Sequence, residues 1–307
     1  MPSLDKGRVM PDQSAMDWEP GTAPVAVVMI ALNEAHNLES VLQNLKGWAQ
    51  QVFLVDSCSV DETVSIALRH GVHVVQRHFK GFGNQWNFAL DHLPITAAWT
   101  MKLDPDERLT DGLKAEIERA TRDQDFAAYR LSVHLYFMGA RLPGILRLTR
   151  LWRTGSVRFS NVEANEHARS NGPEGQLAAE IMHIDSPNLE HWLTKQNRYT
   201  TAEAASQFEH RALALPPRLF GSALERRMWC KRHFWKVPGR YQILFLYHLL
   251  VLGAWRAGRV GWIWARLRTE VYRLWEYKHF EMERLGYVPV KIPAHPGAPD
   301  PRVPLYD

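Results

Sequence analysis

Cysteine is nearly absent. Cys58 and Cys230 are the only two in 307 residues, far apart and in unrelated contexts, which excludes a disulfide framework and fits a reducing compartment. No apolar run reaches the roughly twenty residues that a membrane-spanning helix needs. The longest, Tyr241–Trp255, is about fifteen residues and is interrupted by Gln242 and His248. Residues 1–23 have no apolar stretch of the kind a secretion signal carries and read as a loose polar tail. No G-x-G-x-x-G follows the first strand-like run, which disfavours a nicotinamide enzyme. There is no internal repeat and no low-complexity segment. Acid is scarce in one region: between Pro216 and Lys291 stand fifteen Lys or Arg, five Glu and no Asp, although the whole chain carries a net charge of only +4.

What is present describes a globular protein with one large core or two modest ones, 46% hydrophobic and 23% charged. Val25–Ala31 is a continuous apolar, β-branched run, as in a strand buried on both faces. Leu38, Val41, Leu42, Leu45 and Trp48 then recur at helical spacing. Val52–Asp56 predicts a second strand, Asp61 the N-cap of a helix through Val64 and Leu68, and His73–Gln76 a third strand. A glycine-containing loop at Lys80–Asn84, a helix over Gln85–Leu93, a strand ending at Asp104 and a helix over Leu113–Ala120 follow. Further on, Tyr129–Phe137 and Ile181–Ile184 are strand-like, Leu146–Arg158 mixes Leu, Trp and Arg, and Leu189–Phe208 predicts a helix. This alternation implies an α/β fold with a mostly parallel sheet flanked by helices.

In such sheets ligands bind beyond the carboxyl ends of the strands. Asn33 and Glu34 follow the first strand, Asp56 ends the second, and Asp104 and Asp106 follow the fourth. The run Leu103-Asp104-Pro105-Asp106-Glu107-Arg108 places three carboxylates within four positions. They repel one another unless a cation sits among them, and hard oxygen ligands suit Mg²⁺ or Mn²⁺. The alternative is a solvated turn whose acids favour the start of the next helix.

These motifs in order carry a resemblance: Ala31-Leu-Asn-Glu34, Val55-Asp-Ser-Cys-Ser-Val-Asp-Glu-Thr63, Lys80-Gly-Phe-Gly-Asn-Gln85 with Asn87-Phe-Ala-Leu90, and Leu103–Arg108. The chain resembles the inverting family-2 glycosyltransferases of GT-A fold, in particular the bacterial branch that adds sugars to lipopolysaccharide core or related envelope glycans. Asn165-Glu-His167, Gly172-Pro173, His183 and Asn197-Arg-Tyr-Thr200 look like that branch's second half, and the stretch ending in Leu274-Trp-Glu276 like its membrane-associating tail. Cys58 stands where Gly is usual, Pro105 where a small residue is usual, and Asn165 where a His is usual.

The resemblance implies a nucleotide-sugar donor, UDP-linked, and Mg²⁺ or Mn²⁺ on Asp104 and Asp106. It puts Asp104 on the ribose and diphosphate, Asp106 on the metal, Asp56 on the base and Glu34, with Asn33, on the ribose side. Lys80 is a candidate for the diphosphate, and Gln85 and Asn87 shape the donor pocket. Glu166 is the expected base that deprotonates the acceptor, with Glu107 the second candidate. His167 and His183 read as structural histidines, so no His metal site is expected.

The implied domains are a tail over 1–23, a GT-A domain over 24–212 (a nucleotide-sugar half to 125, then an acceptor half), and a basic, Trp-rich helical region with a tail over 213–307. Six of the twelve tryptophans lie in that last region. Apolar residues mixed with Trp, Tyr and Arg suit an interfacial helix on anionic lipid. The expected acceptor is therefore a glycolipid or lipopolysaccharide-type glycan at the inner face of the cytoplasmic membrane, with no nucleic acid partner. The rival readings are a catalytically silent membrane-surface protein and a Mg-dependent Asp-x-Asp phosphatase.

Overall fold

The computed structural model describes residues 17–123, 125–160, 168–209, 233–290 and 297–306, and residues 218, 220, 225, 226 and 229 between them. In chain order the first elements are β1 (Ala23–Ala31), α1 (Ala35–Leu45), β2 (Ala49–Asp56), α2 (Thr63–Arg69), β3 (His73–Arg77), α3 (Phe82–His92), β4 (Trp99–Lys102), β5 (Glu107–Leu109) and α4 (Asp111–Ala120). After them come β6 (Ala128–Phe137), β7 (Ala140–Arg153), β8 (Val157–Phe159), β9 (Ala168–Ser170), β10 (Glu174–Ile184) and α5 (Leu189–Phe208). The chain closes with α6 (Arg240–Leu246), α7 (Gly258–Leu285) and a last short strand, β11 (Leu305–Tyr306).

The described residues of Met1–His134, Ile145–Ile184 and His295–Asp307 form one compact unit. The chain's one continuous apolar run is the middle of its sheet. β1 pairs in parallel with β2 on one side and β4 on the other, and Val25 to Met29 have no exposed surface, as a strand covered on both faces requires. Because side chains alternate across a strand, Val25, Val27 and Met29 pack with Leu38, Leu42, Val64, Leu113 and Ile117 from α1, α2 and α4. Ala26 and Val28 face the other way, onto Trp86, Phe88 and Ala89 of α3.

The nine-stranded sheet runs β11-β3-β2-β1-β4-β7-β6-β10-β5. It is parallel from β11 to β4 and antiparallel where β4 meets β7 and where β10 meets β5. The expected parallel sheet is thus only the first part of a mixed one. β8 and β9 make a separate two-stranded ribbon.

The second unit comprises the described residues of Leu135–Gly144 and Asp185–Ala294. Ala204 and Ala205 of α5 pack there with Trp275 and Met282 of α7, and Trp192 packs with Phe137 and Leu142, lined by Ile263, Trp264 and Leu267. The apolar run at 240–251 is a helix bent by 68° against the helical segment Ala254–Leu285. Gly261 permits a tight return after the bend, since a Cβ there would sit 1.7 Å from the Ala254 carbonyl oxygen. Among the described residues no single helix is long and apolar enough to cross a membrane.

Three boundaries differ from the sequence reading. Residues 17–22 are not loose: the Trp18 indole donates to the Ala49 carbonyl at 3.0 Å and its amide to the Gly71 carbonyl at 2.9 Å. Residues 1–16 lie outside the described part. Helix α5, expected in the acceptor half, groups with α6 and α7. Residues 297–306, expected as a tail of the helical region, instead supply β11 to the first unit's sheet and bury Val303 in its core.

Candidate active site

β4 ends at Lys102, and the acidic turn follows at the expected edge of the sheet. The Glu107 amide donates to the Asp104 carbonyl at 2.9 Å, closing a four-residue turn around Pro105. Arg108 ties that turn to α1: its guanidinium donates to the Pro105 carbonyl at 2.7 Å, the Asn37 carbonyl at 2.9 Å and Ser40 Oγ at 3.0 Å.

The three carboxylates have three different environments. Glu107 is fully buried; its Oε1 accepts from Arg150 at 2.8 Å and its Oε2 from the Asp104 amide at 2.9 Å. Burial, aided by repulsion from Asp104 and Asp106 and opposed by Arg150, pushes its carboxyl up to about 7. Asp104 is half-buried and accepts from the same guanidinium at 3.0 Å. Burial pulls it upward, but Arg150 and Lys102 outweigh that and hold it at about 2. Asp106 sits with Oδ2 3.4 Å from His183 Nε2, and its carbonyl accepts from the Ile184 amide at 2.8 Å.

This sorts the expected roles. Glu107, the second candidate for the base, has no exposed surface and both oxygens engaged, so it cannot take a proton from an acceptor; it is the internal brace of the turn. Asp104 and Asp106 retain exposed carboxylate surface. His183, read as merely structural, is the residue brought to Asp106: β10 pairs antiparallel with β5, opposing His183 to Glu107. A carboxylate beside an imidazole fits a divalent transition metal, and Asp185 lies two residues further along the chain. Arg150, which neutralises the turn from β7, had not been singled out. Glu166, with Asn165 and His167, lies outside the described residues.

The other motifs build the turns beside this edge. Asn33 adopts a left-handed φ of 58°; its side-chain oxygen accepts from the Val60 amide at 2.8 Å and its amide donates to Ser59 Oγ at 2.8 Å. Glu34 accepts from Asn37 Nδ2 at 2.8 Å. Asp61 receives the first amides of two helices, Ala35 at 3.1 Å and Thr63 at 3.0 Å. Asp56 is fully buried, accepting from the Ser59 amide at 2.9 Å, from Ser59 Oγ, and from Gln76 Nε2 at 2.8 Å. These three bonds leave one acceptor place, on Oδ1, and as placed Asp56 anchors the turn 57–60.

Gln85, expected in the donor pocket, is buried too. Its oxygen accepts from Arg77 at 2.9 Å and its NH₂ donates to the Arg77 carbonyl at 3.3 Å, a brace and not a ligand contact. Asn87 exchanges two hydrogen bonds with the Phe159 backbone, at 3.0 and 2.9 Å. Lys80 is exposed on the loop before α3. Lys102 Nζ lies over the Trp86 ring at 4.6 Å, directing one more buried cation toward the acidic edge.

The comparison with known families falls on this same part. Residues 26–151 match the model of Glycosyl transferase family 2. That stretch of the chain is similar to the glycosyl transferase family 2 domain. A glycosyltransferase of Rickettsia felis, itself uncharacterized, is 27% identical over 196 residues, 59% of this chain and 69% of that protein. Another, from Rickettsia bellii, is 31% identical over 147 residues, 46% and 49% of the two chains. Among solved structures, Staphylococcus aureus TarS 1–349 in complex with UDP-GlcNAc is 16% identical with a TM-score of 0.41, covering 86% of this chain and 92% of that one. Glucosyl-3-phosphoglycerate synthase of Mycobacterium tuberculosis, solved with Mn²⁺, UDP and glucosyl-3-phosphoglycerate, is 21% identical with a TM-score of 0.30, over 36% and 44% of the two chains. The matched segment runs from within β1 to within β7 and includes the acidic turn and Arg150. The sheet is mixed and has helices on both faces.

Proposed function

We propose that the first unit transfers a sugar, with inversion, from a UDP-linked donor to a lipid-linked envelope glycan of the lipopolysaccharide-core type. The observation that carries this reading is the meeting of Asp106 with His183 beside Asp104 at the carboxyl edge of the parallel strands, the two aspartates within the segment matched to the family and His183 brought to them from β10 beyond it.

Asp106 and His183 are the proposed metal-holding pair, and Asp104 the carboxylate that faces ribose and diphosphate. Mixed oxygen and nitrogen ligands favour Mn²⁺ over Mg²⁺, which takes oxygen ligands. A bound metal supplies Lewis-acid stabilisation of the departing diphosphate. Arg150 keeps Asp104 ionised, so that carboxylate is ready at any physiological pH. Asn33, Glu34 and the turn anchored by Asp56 form the nucleoside side, and Lys80 is the mobile cation for the diphosphate. Inversion needs a base opposite the leaving group; Glu166 is the proposed one, and Glu166→Gln should abolish turnover while donor binding persists.

The acceptor class rests on the second unit. Ile243, Leu246, Leu250, Val251 and Trp255 are exposed, Val251 by 72% and Trp255 by 55%. Arg256 lies over Trp255 at 5.5 Å and Arg266 over Trp262 at 5.1 Å. Apolar side chains interleaved with exposed cations suit a helix lying on anionic lipid, which supports a peripheral site on the inner face of the cytoplasmic membrane. The test is a panel of sugar nucleotides read out by release of nucleoside diphosphate, with Mn²⁺ and with chelator. Metal-dependent release from a UDP-sugar is the expected result; metal-independent release of inorganic phosphate would overturn it.

A further inference from the structure

Residues 297–306 form a strap fastened to the nucleoside side of the first unit. The Gly297 amide donates to the Cys58 carbonyl at 3.0 Å, and the Gln76 amide donates to the Pro304 carbonyl at 2.8 Å. Arg302 donates to Ser65 Oγ on α2 at 2.9 Å. A Cβ at Gly297 would come within 2.3 Å of Val60 Cγ1, so the strap lies directly on the turn that follows Asp56. Pro299, Pro301 and Pro304 restrict the free strap, which lowers the entropy lost on docking.

One side chain joins the strap to Asp56. Gln76 has no exposed surface. Its Oε1 accepts the Asp300 amide at 2.6 Å, and its Nε2 donates to Asp56 Oδ2 at 2.8 Å. Because a backbone amide must meet the oxygen, the strap decides which end of the Gln76 amide faces Asp56. A carboxylate has about four acceptor places. Gln76 and the Ser59 amide fill those on Oδ2, and the Ser59 hydroxyl takes one on Oδ1. The remaining place is on Oδ1. Without Gln76 the carboxylate is held by the local Ser59 alone, and a turn about its soft terminal torsion carries Ser59, and through it Asn33, out of register.

We infer that the strap is a working part of the donor site, with Gln76 the positioning residue that couples it to Asp56, so that strap docking and nucleotide binding strengthen each other. This rests on the donor reading above, and it adds a requirement that the matched segment, ending at residue 151, does not contain.

The test uses the full chain. Coupling is reciprocal, so UDP with Mn²⁺ should slow hydrogen exchange at the Gly297 and Asp300 amides by about fivefold or more. Gln76→Leu and Gly297→Val should raise the Kd for UDP by about the same factor, and Arg302→Ala, which loosens the strap away from Asp56, covers the case in which Gln76→Leu does not fold. A strap that only supports the fold would lower the melting temperature of these variants and leave the UDP Kd and the nucleotide-dependent protection unmoved, which would overturn the proposal alone. Wild-type protein that binds none of UDP, GDP or dTDP would overturn the donor reading and this proposal with it.

Discussion

The two units treat charge in opposite ways. In the first, Asp56, Lys102, Glu107, His134 and Arg150 are all buried, with Glu107 held by Arg150 at 2.8 Å and His134 3.2 Å from Glu180. In the second, the buried polar side chains among the described residues are Gln196, Thr200, His248 and Thr269, with no carboxylate, lysine or arginine. Arg256 and Arg266 stand exposed over Trp255 and Trp262. Buried charge is costly unless paired, so the first unit retains an arrangement that stability alone does not favour, at the edge where the acidic turn lies. The second exposes apolar surface that a freely soluble domain tends to cover. In the proposed function the first unit holds the charged donor and the second meets an apolar surface.

The largest expected effect breaks the first half of this contrast. Arg150→Leu leaves Asp104 and Glu107 without their shared cation and should cost about 3–5 kcal/mol, measured by denaturant unfolding; a loss under about 1 kcal/mol would mean that the guanidinium is dispensable. Next, Asp106→Asn should cut metal-stimulated turnover by about a hundredfold or more, with the melting temperature little changed. On the second unit, Val251→Ser combined with Trp255→Ser should weaken binding to vesicles containing anionic lipid by about tenfold, and binding should fall further with salt. Retention unaffected by either would remove the membrane contact.

pH sharpens the comparison, because the units should respond with opposite signs. Glu107 is raised from 4.5 to about 7, so the folded first unit holds a proton that the unfolded chain has lost. Its contribution is complete below pH about 4.5 and disappears as pH rises toward 7. His248 is lowered from 6.5 to about 4 by burial and then by Arg268; neither ring nitrogen has a hydrogen-bond partner. Its contribution is complete above pH 6.5 and disappears as pH falls toward 4. Between pH 5 and 6.5, calorimetry should show Glu107→Gln removing a stability term that falls with pH and His248→Leu removing one that rises. The smallest change is Thr110→Ala: Thr110 Oγ1 caps α4 by accepting the Leu113 amide at 3.2 Å, and its loss should cost about 1 kcal/mol.

Legibility in the sequence followed the range of the interaction. The strands β1 to β4, and the acids at their ends, were readable because hydrophobic period and turn chemistry are local. Helix α5 was readable at Leu189–Phe208 for the same reason. Arg150 was not: Arg147 and Arg150 both sit in a long strand, and which one faces inward depends on register with β4. His183 met Asp106 only through the pairing of β10 with β5, which sets His183 opposite Glu107 across 76 positions of chain. Asp56 and Gln85 were expected at the donor from the resemblance; that both are fully buried, Asp56 bonded to Ser59 and Gln76 and Gln85 to Arg77, depends on partners in other elements that the local sequence does not show. The last strand was hidden because proline-rich sequence does not read as β, although an edge strand is where proline is tolerated.

The central claim is that the acidic turn, with His183, holds a metal that holds a nucleoside diphosphate. It is tested most directly by titrating UDP into wild-type protein and Asp106→Asn, each with Mn²⁺ and with chelator. The account predicts tight binding only for the wild type with Mn²⁺, and equally weak binding in the other three cases. UDP binding of the same strength with chelator, or in Asp106→Asn with Mn²⁺, would contradict it.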